Sequence, residues 1–488
     1  MTGDGTPGSI AADPLAPVLR GLHDEVRRRF PARERDLTGA RRVYLNNAGG
    51  TLVAEDSVLA MERAARHANA QDGEVTPGER ATAEIHARAR AAAADLLGAP
   101  SPDEISFHLS TTHALFNLSF AFRDLLGAGD NLIVTRLDHA ANVTPWESLW
   151  GRDRGLEVRQ CGVRRDGTLD LAHLERLVDR RTRLIAVTSA SNGLGTVVPV
   201  ETVVRIARRH GDPEAPATSR RRGPRAARGR GAPWRGALVV VDAVHHVCHA
   251  PVDVRTIGCD FLAFSGYKLF GPMLGVLWGR RRWLDVLRPY RAEANADVTP
   301  VKFEQGTPNH AALAGLTGAI EYLADLGGRV RTAATSAPPA ASPDLGGLAR
   351  TLDGRHPPGP RRLLGWAMTA VQHHERALSR LLLAGLGALR ADGVRLHGIA
   401  DPARAAERDP TFLIEVEGRT QEEVKRRLWE VGRIEVPSGN YDSLAVYRHL
   451  RSRRTVRASF AHYDGEDTAL HFLRALGAVV RTADARRR

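Results

Sequence analysis

Residues 237–272 read ALVVVDAVHHVCHAPVDVRTIGCDFLAFSGYKLFGP. Two short apolar runs, ALVVV and FLAF, each give way to polar residues. Neither run alternates apolar with polar, so each predicts a strand buried on both faces, as in a parallel sheet. The pattern recurs upstream in DEISFHLSTT, NLIVTRLDHAAN and TRLIAVTSASNGLG. Helix-forming segments separate most of these runs, among them ERATAEIHARARAAAADLLGA, which ends at Gly98. Strands alternating with helices predict an α/β, doubly wound fold with a mainly parallel sheet.

Open parallel sheets bind ligands at the carboxyl ends of their strands. Those ends carry Thr111 and Thr112, Asp138 and His139, Ser191 and Asn192, Asp242 and His245, and Ser265 and Lys268. The fold therefore predicts that five polar groups converge on one crevice.

Lys268 allows two readings. Its stem packs while its ammonium snorkels to solvent, or it is a tuned amine that forms a Schiff base with a carbonyl compound. Singly, the other groups also have plain readings. Asp242 and the Thr111–Thr112 pair serve as helix caps, and His139 as a satisfied histidine. Jointly they meet the demands of pyridoxal 5'-phosphate. Lys268 offers the amine, and Asp242 a carboxylate for the ring nitrogen. Thr111, Thr112 and Ser265 offer hydroxyls and a helix N-terminus for the phosphate. His139 offers a flat face, and Asn192 and His245 hydrogen bonds to the ring hydroxyl.

Composition bounds the alternatives. The chain has 488 residues, 43% hydrophobic and 26% charged, as a large globular protein does. No run approaches the ~20 apolar residues that span a bilayer, and a cytoplasmic location is expected. Cys161, Cys248 and Cys259 make no disulfide framework and show no metal-ligand spacing. The HHVCH cluster at 245–249 lacks a closed ligand set, so no metal is expected. The net charge of +13 raises a nucleic-acid reading, but Ser219–Gly236 alone holds seven arginines and no acid. Nucleic-acid binding through that stretch is the alternative of another class; it would show steep salt dependence.

The expected organisation is an N-terminal tail and helix over 1–40 that packs on the small domain, and a large domain over 41–328. An Arg-rich insertion at 212–236 interrupts the large domain. A flexible linker at 329–362 then leads to a smaller α+β domain over 363–488.

Together with that constellation, RLDHAANVTPW, TSASNGLGTVVPV, FEQGTPNHAALAGL and VRASFAHYDGEDTALHFLRAL occur in this order. They resemble the cysteine desulfurase group of class V aminotransferases, over roughly 41–328 and 363–488, and most closely its cysteine desulfurase-like subgroup. The resemblance implies fold type I, pyridoxal phosphate, an amino-acid substrate and a homodimer with active sites at the subunit interface. It makes Lys268 the cofactor lysine, Asp242 the ring-nitrogen partner and His139 the stacking residue. It also makes Thr112 and Ser265 phosphate ligands, and sets Asn192 near the ring hydroxyl and substrate carboxylate. Thr307 would reach the phosphate of the other subunit, and Arg457 would clamp the substrate carboxylate.

Three departures stand out. His245 replaces the group's usual glutamine, and Tyr267 replaces the histidine before the lysine, its hydroxyl substituting for one phosphate contact. The loop that carries the group's persulfide-forming cysteine corresponds to EVPSGNYDSLAVYRHL, which has no cysteine. The expected activity is therefore pyridoxal phosphate chemistry on an amino acid, of aminotransferase or lyase type, without a protein persulfide. The alternative is a cysteine desulfurase or C–S lyase that releases sulfur to an external acceptor.

Overall fold

The structure, a computed structural model, describes residues 13–213, 234–336, 343–450, 452 and 454–481. Among the described residues twelve strands form three sheets: β1 Val43–Tyr44, β2 Ile105–His108, β3 Asn131–Thr135, β4 Glu157–Cys161, β5 Thr182–Thr188, β6 Leu238–Asp242, β7 Phe261–Ser265, β8 Gly275–Gly279, β9 Val394–His397, β10 Thr411–Val416, β11 Ile434–Glu435 and β12 Thr455–Ser459. The large sheet has the order β2-β8-β7-β6-β5-β3-β4. Its pairs are parallel except β2–β8 and β7–β8. Strand β8 alone therefore runs backwards, and the carboxyl ends of β2, β3, β5, β6 and β7 share one edge.

Every residue of β2, β3, β6, β7 and β8 is buried, because helices cover both faces of the sheet. Edge strand β4 differs: Glu157 and Gln160 are exposed, and charge there blunts an unpaired edge. The helix Pro77–Leu97 starts in a reciprocal cap in which Thr76 and Glu79 each accept the other's backbone N–H.

A second antiparallel sheet, β12-β10-β9, carries the helices Gln421–Gly432 and Glu466–Arg481 around its own apolar core. The short N-terminal helices run over Ala16–Gly21 and His23–Arg28. Leu15 and Leu19 there are fully buried. The Leu15 amide donates to His373, and Arg27 pairs with Asp467 at 2.6 Å.

The expected linker at 329–362 is corrected: its described residues are mostly helical. The helix His310–Ser336 runs into it, Pro343–Arg355 forms another, and a third starts at Pro360 and continues to Ala388. Alanine, arginine and leucine favour helix there, and Pro360 sits in a first turn, where its missing N–H costs nothing. Val330, Leu352 and Leu364 are buried, and Asp353 binds both Arg331 and the Trp366 indole. Of the expected insertion 212–236, residues 214–233 lie outside the described residues.

Candidate active site

Strand β7 ends at Ser265, and one tight turn, Gly266–Lys268, comes directly after it. That turn carries Lys268 back over the sheet edge, where it is buried. Burial first, then the nearby Arg457 cation, lowers the ammonium to about 8, with Asp242 opposing. Asp242 ends the adjacent strand β6, and burial raises its carboxyl, opposed first by His139. Its Oδ1 accepts the Val244 amide at 2.9 Å. At the end of β5, the hydroxyls of Thr188 and of Ser189 just beyond it both donate to the Asp242 carbonyl at 3.2 Å, which fixes the backbone beneath the carboxylate.

An anion cradle lies beside the lysine. The helix Thr111–Ala121 begins just after β2, capped by Ser110, whose Oγ accepts the His113 amide. Helix geometry leaves the first amides, those of Thr111 and Thr112, without an intrahelical acceptor. Gly275 pairs with both His108 of β2 and Ser265 of β7. A Cβ on Gly275 would collide with the Ser110 carbonyl and the Thr111 amide. Its absence lets the helix start seat against β7, with Thr111 Oγ 2.7 Å from Ser265 Oγ.

His139 lies just beyond β3. Its Nδ1 accepts the Ala141 amide at 3.0 Å, which places the ring proton on Nε2, 3.6 Å from Asp442. Burial keeps the ring's pKa low. Beneath it Asp138, raised by burial to about 8, is held by Thr135 and by Asn142.

A loop from the small sheet closes the site. The carbonyl of Asp442 accepts the Ala140 amide at 2.8 Å. The Asn192 amide donates to the Tyr441 carbonyl at 2.8 Å, and Ser443 donates to Asn192 Oδ1 at 2.6 Å. Arg457 on β12 is buried and donates to the Asn192 carbonyl at 2.8 Å and to Asn46 at 3.3 Å. Its guanidinium lies over the Tyr441 ring, its Nε has no hydrogen-bond partner, and among the described residues no carboxylate pairs with it.

Thr111, Thr112, His139, Asn192, Asp242, His245, Ser265, Tyr267 and Lys268 thus line one cleft. Arg457 adjoins it through Asn192. Thr307 does not line it; that residue is exposed on the segment before the helix His310–Ser336. Asn192 differs from its expected role in one respect, since the 441–443 loop engages its side chain on both sides. Sequence reading missed Thr188, Asn46, Tyr441 and Ser443. Thr188 ends an apolar strand in the same pattern as the residues identified; Tyr441 lies in the cysteine-free loop already singled out, without a role given to it, and nothing local marks Asn46 or Ser443.

Residues 43–212 and 228–337 match the aminotransferase class-V family. The chain is 34% identical over 320 residues to a cysteine desulfurase of Klebsiella pneumoniae (strain 342), covering 62% of this chain and 72% of that one. A cysteine desulfurase of Yersinia pestis (strain Pestoides F) is also 34% identical, over 321 residues, with the same coverage. The fold is shared with the cysteine desulfurase CsdA of Escherichia coli, at a TM-score of 0.69 and 23% identity over 94% of this chain and 98% of that one. It is shared too with a cysteine desulfurase of Thermococcus onnurineus NA1, at a TM-score of 0.71, 23% identity and the same coverage. The parallel sheet, the strand-end lysine and aspartate, and these matches lead to one conclusion: the chain belongs to the class V aminotransferase family, as an enzyme of its pyridoxal phosphate-dependent, cysteine desulfurase-like type.

Proposed function

We propose that this chain holds pyridoxal 5'-phosphate on Lys268 and acts on an amino acid without forming a protein persulfide. The observation that carries the reading is the burial of Lys268 beside Asp242, with an anion cradle on one side and Arg457 on the other. The donor set fits the cofactor. A lysine with a pKa near 8 supplies neutral amine near physiological pH. The helix-start amides of Thr111 and Thr112 suit a phosphate, and the missing Cβ of Gly275 lets that helix start seat beside Ser265.

When bound, the cofactor supplies an electron sink that lets a bond at the amino acid's Cα break. Asp242 holds the ring nitrogen, and neutral His139 covers the ring face. Thr111, Thr112, Ser265 and Tyr267 hold the phosphate, and His245 and Asn192 bond the ring hydroxyl. Arg457 takes the substrate carboxylate, and Lys268 Nζ carries the proton to and from Cα. Thr307 serves the phosphate site of the partner subunit in a homodimer, and the enzyme works in the cytoplasm. No helix among the described residues is long and apolar enough to cross a membrane.

A persulfide needs a mobile, exposed thiolate. The closing loop presents Tyr441, Asp442 and Ser443 instead, and Cys161, Cys248 and Cys259 are all buried. Burial raises all three thiols, Cys161 to about 12. The relatives' activity supports a second reading, desulfuration that releases sulfur to an external acceptor. Two variants test the proposal. Lys268→Ala loses the cofactor that borohydride otherwise fixes to the chain. Replacing the three cysteines with small apolar residues leaves turnover of the best amino acid intact. Cofactor still fixed in the first variant, or turnover lost in a folded, cofactor-loaded second one, overturns it.

A further inference from the structure

Behind the cleft, the turn after β6 presents His245, His246 and His249. The fold brings two carboxylates to them, Asp409 from the segment entering β10 and Glu375 from the helix Pro360–Ala388. One donor atom from each of His245, His249 and Asp409 lies within 4.8 Å of the other two, and all three residues are buried. The His245 and His249 rings sit 5.0 Å apart, inclined at 65°. Glu375 Oε2 is 2.9 Å from His249 Nδ1, which leaves His249 its Nε2. Both Asp409 oxygens are 3.0 Å from His246 Nδ1. His245 Nε2 is buried with no hydrogen-bond partner, as is Glu375 Oε1.

We propose that His245, His249 and Asp409 bind one Zn²⁺ per chain, clamping the turn after β6 to the segment that enters β10. Two imidazoles and a carboxylate are a zinc-type donor set, completed by water in a fourth position. Hard cations such as Mg²⁺ prefer oxygen donors throughout. Zinc–donor distances of about 2.0–2.2 Å place tetrahedral donors about 3.4 Å apart, so the three residues close on an ion with side-chain shifts of about an ångström. Glu375 on the far nitrogen of His249 is the carboxylate–histidine arrangement that fixes a ligating ring, and His246 braces Asp409 in the same way. A His ring has two nitrogens: the ion takes the buried His245 Nε2, which has no hydrogen-bond partner, and Nδ1 is left for the ring hydroxyl.

The test uses the full-length, untagged, cofactor-loaded protein, stripped with a chelator and titrated with ZnCl₂, with bound metal counted by elemental analysis. One zinc per chain is expected. Asp409→Asn and His249→Gln should each weaken binding at least 100-fold, and Glu375→Gln about 10- to 100-fold. His310→Ala, which removes the separate His86–His310 contact at 3.0 Å, should change nothing. Absence of stoichiometric zinc, equal affinity in Asp409→Asn and His249→Gln, or loss only in His310→Ala overturns the site. If those ligand variants do not fold, the unaltered chain decides. Its melting midpoint must rise with Zn²⁺, fall on chelation and ignore Mg²⁺, and a midpoint indifferent to Zn²⁺ overturns the proposal.

Discussion

The guanidinium of Arg457 lies 4.2 Å from the centroid of the Tyr441 ring, and both are tied to Asn192. A cation stacked on an aromatic face, bonded to a carbonyl and an amide oxygen, keeps donor capacity for an anion. Burial lowers its pKa to about 10, and it stays charged at neutral pH.

Arg457→Lys removes the planar fork but keeps the charge. The variant should retain cofactor and bind amino acids more weakly by about 1.5–3 kcal/mol, on the order of 10- to 150-fold. Titrating both proteins with an amino acid and with its decarboxylated amine separates the roles. The native enzyme should prefer the acid and the variant should be nearly indifferent; equal preference in both assigns Arg457 to structure.

Lys268 gives a pH signature. With its ammonium at about 8 in the fold and near 10.5 when unfolded, the unfolded chain binds more protons across that window. The lysine's contribution to stability of the cofactor-free protein therefore rises from pH 8 to 10.5. The neutral amine likewise grows about fivefold between pH 7 and 8. The rate of covalent pyridoxal phosphate capture by cofactor-free protein should track that curve and flatten above it. A rate already flat from pH 6 upward would mean that another group limits capture.

Gly275→Ala places a methyl against the Ser110 carbonyl and Thr111 amide. Moving the helix start away from β7 should cost about 1–3 kcal/mol in stability and weaken cofactor retention. Thermal melts with equilibrium dialysis against pyridoxal phosphate check both; unchanged retention would move the phosphate site elsewhere.

Residues 214–233 should be dispensable for catalysis. The chain on either side is already together: a Cβ on Gly236 would strike the Gly211 carbonyl, and the Ala237 amide donates to Ala207 at 3.0 Å. Trp234 must stay, since it is buried against Trp283 with rings 5.1 Å apart. Replacing 214–233 by a short glycine-containing turn should leave the cofactor spectrum unchanged. Insoluble or cofactor-free protein would show that the segment is structural.

The sequence alone determined the large sheet and most of the cleft. A strand buried on both faces must be apolar throughout, so β3, β5, β6 and β7 appear as unbroken runs. The polar residues just beyond each run have to lie at one sheet edge, and the pattern by itself therefore puts His139, Asn192, Asp242 and Lys268 together. Only the tertiary structure decided the contacts made after the chain returns through the second sheet. Tyr441 on Arg457, Ser443 on Asn192, and Asp409 beside His245 and His249 join residues separated by anything from sixteen to over two hundred positions. No local periodicity encodes such contacts, because they depend on where the chain returns after the second sheet has formed. The helices within 329–362 had a similar cause: Pro and Gly make that stretch resemble a linker, while burial of Val330, Leu352 and Leu364 holds it in helix.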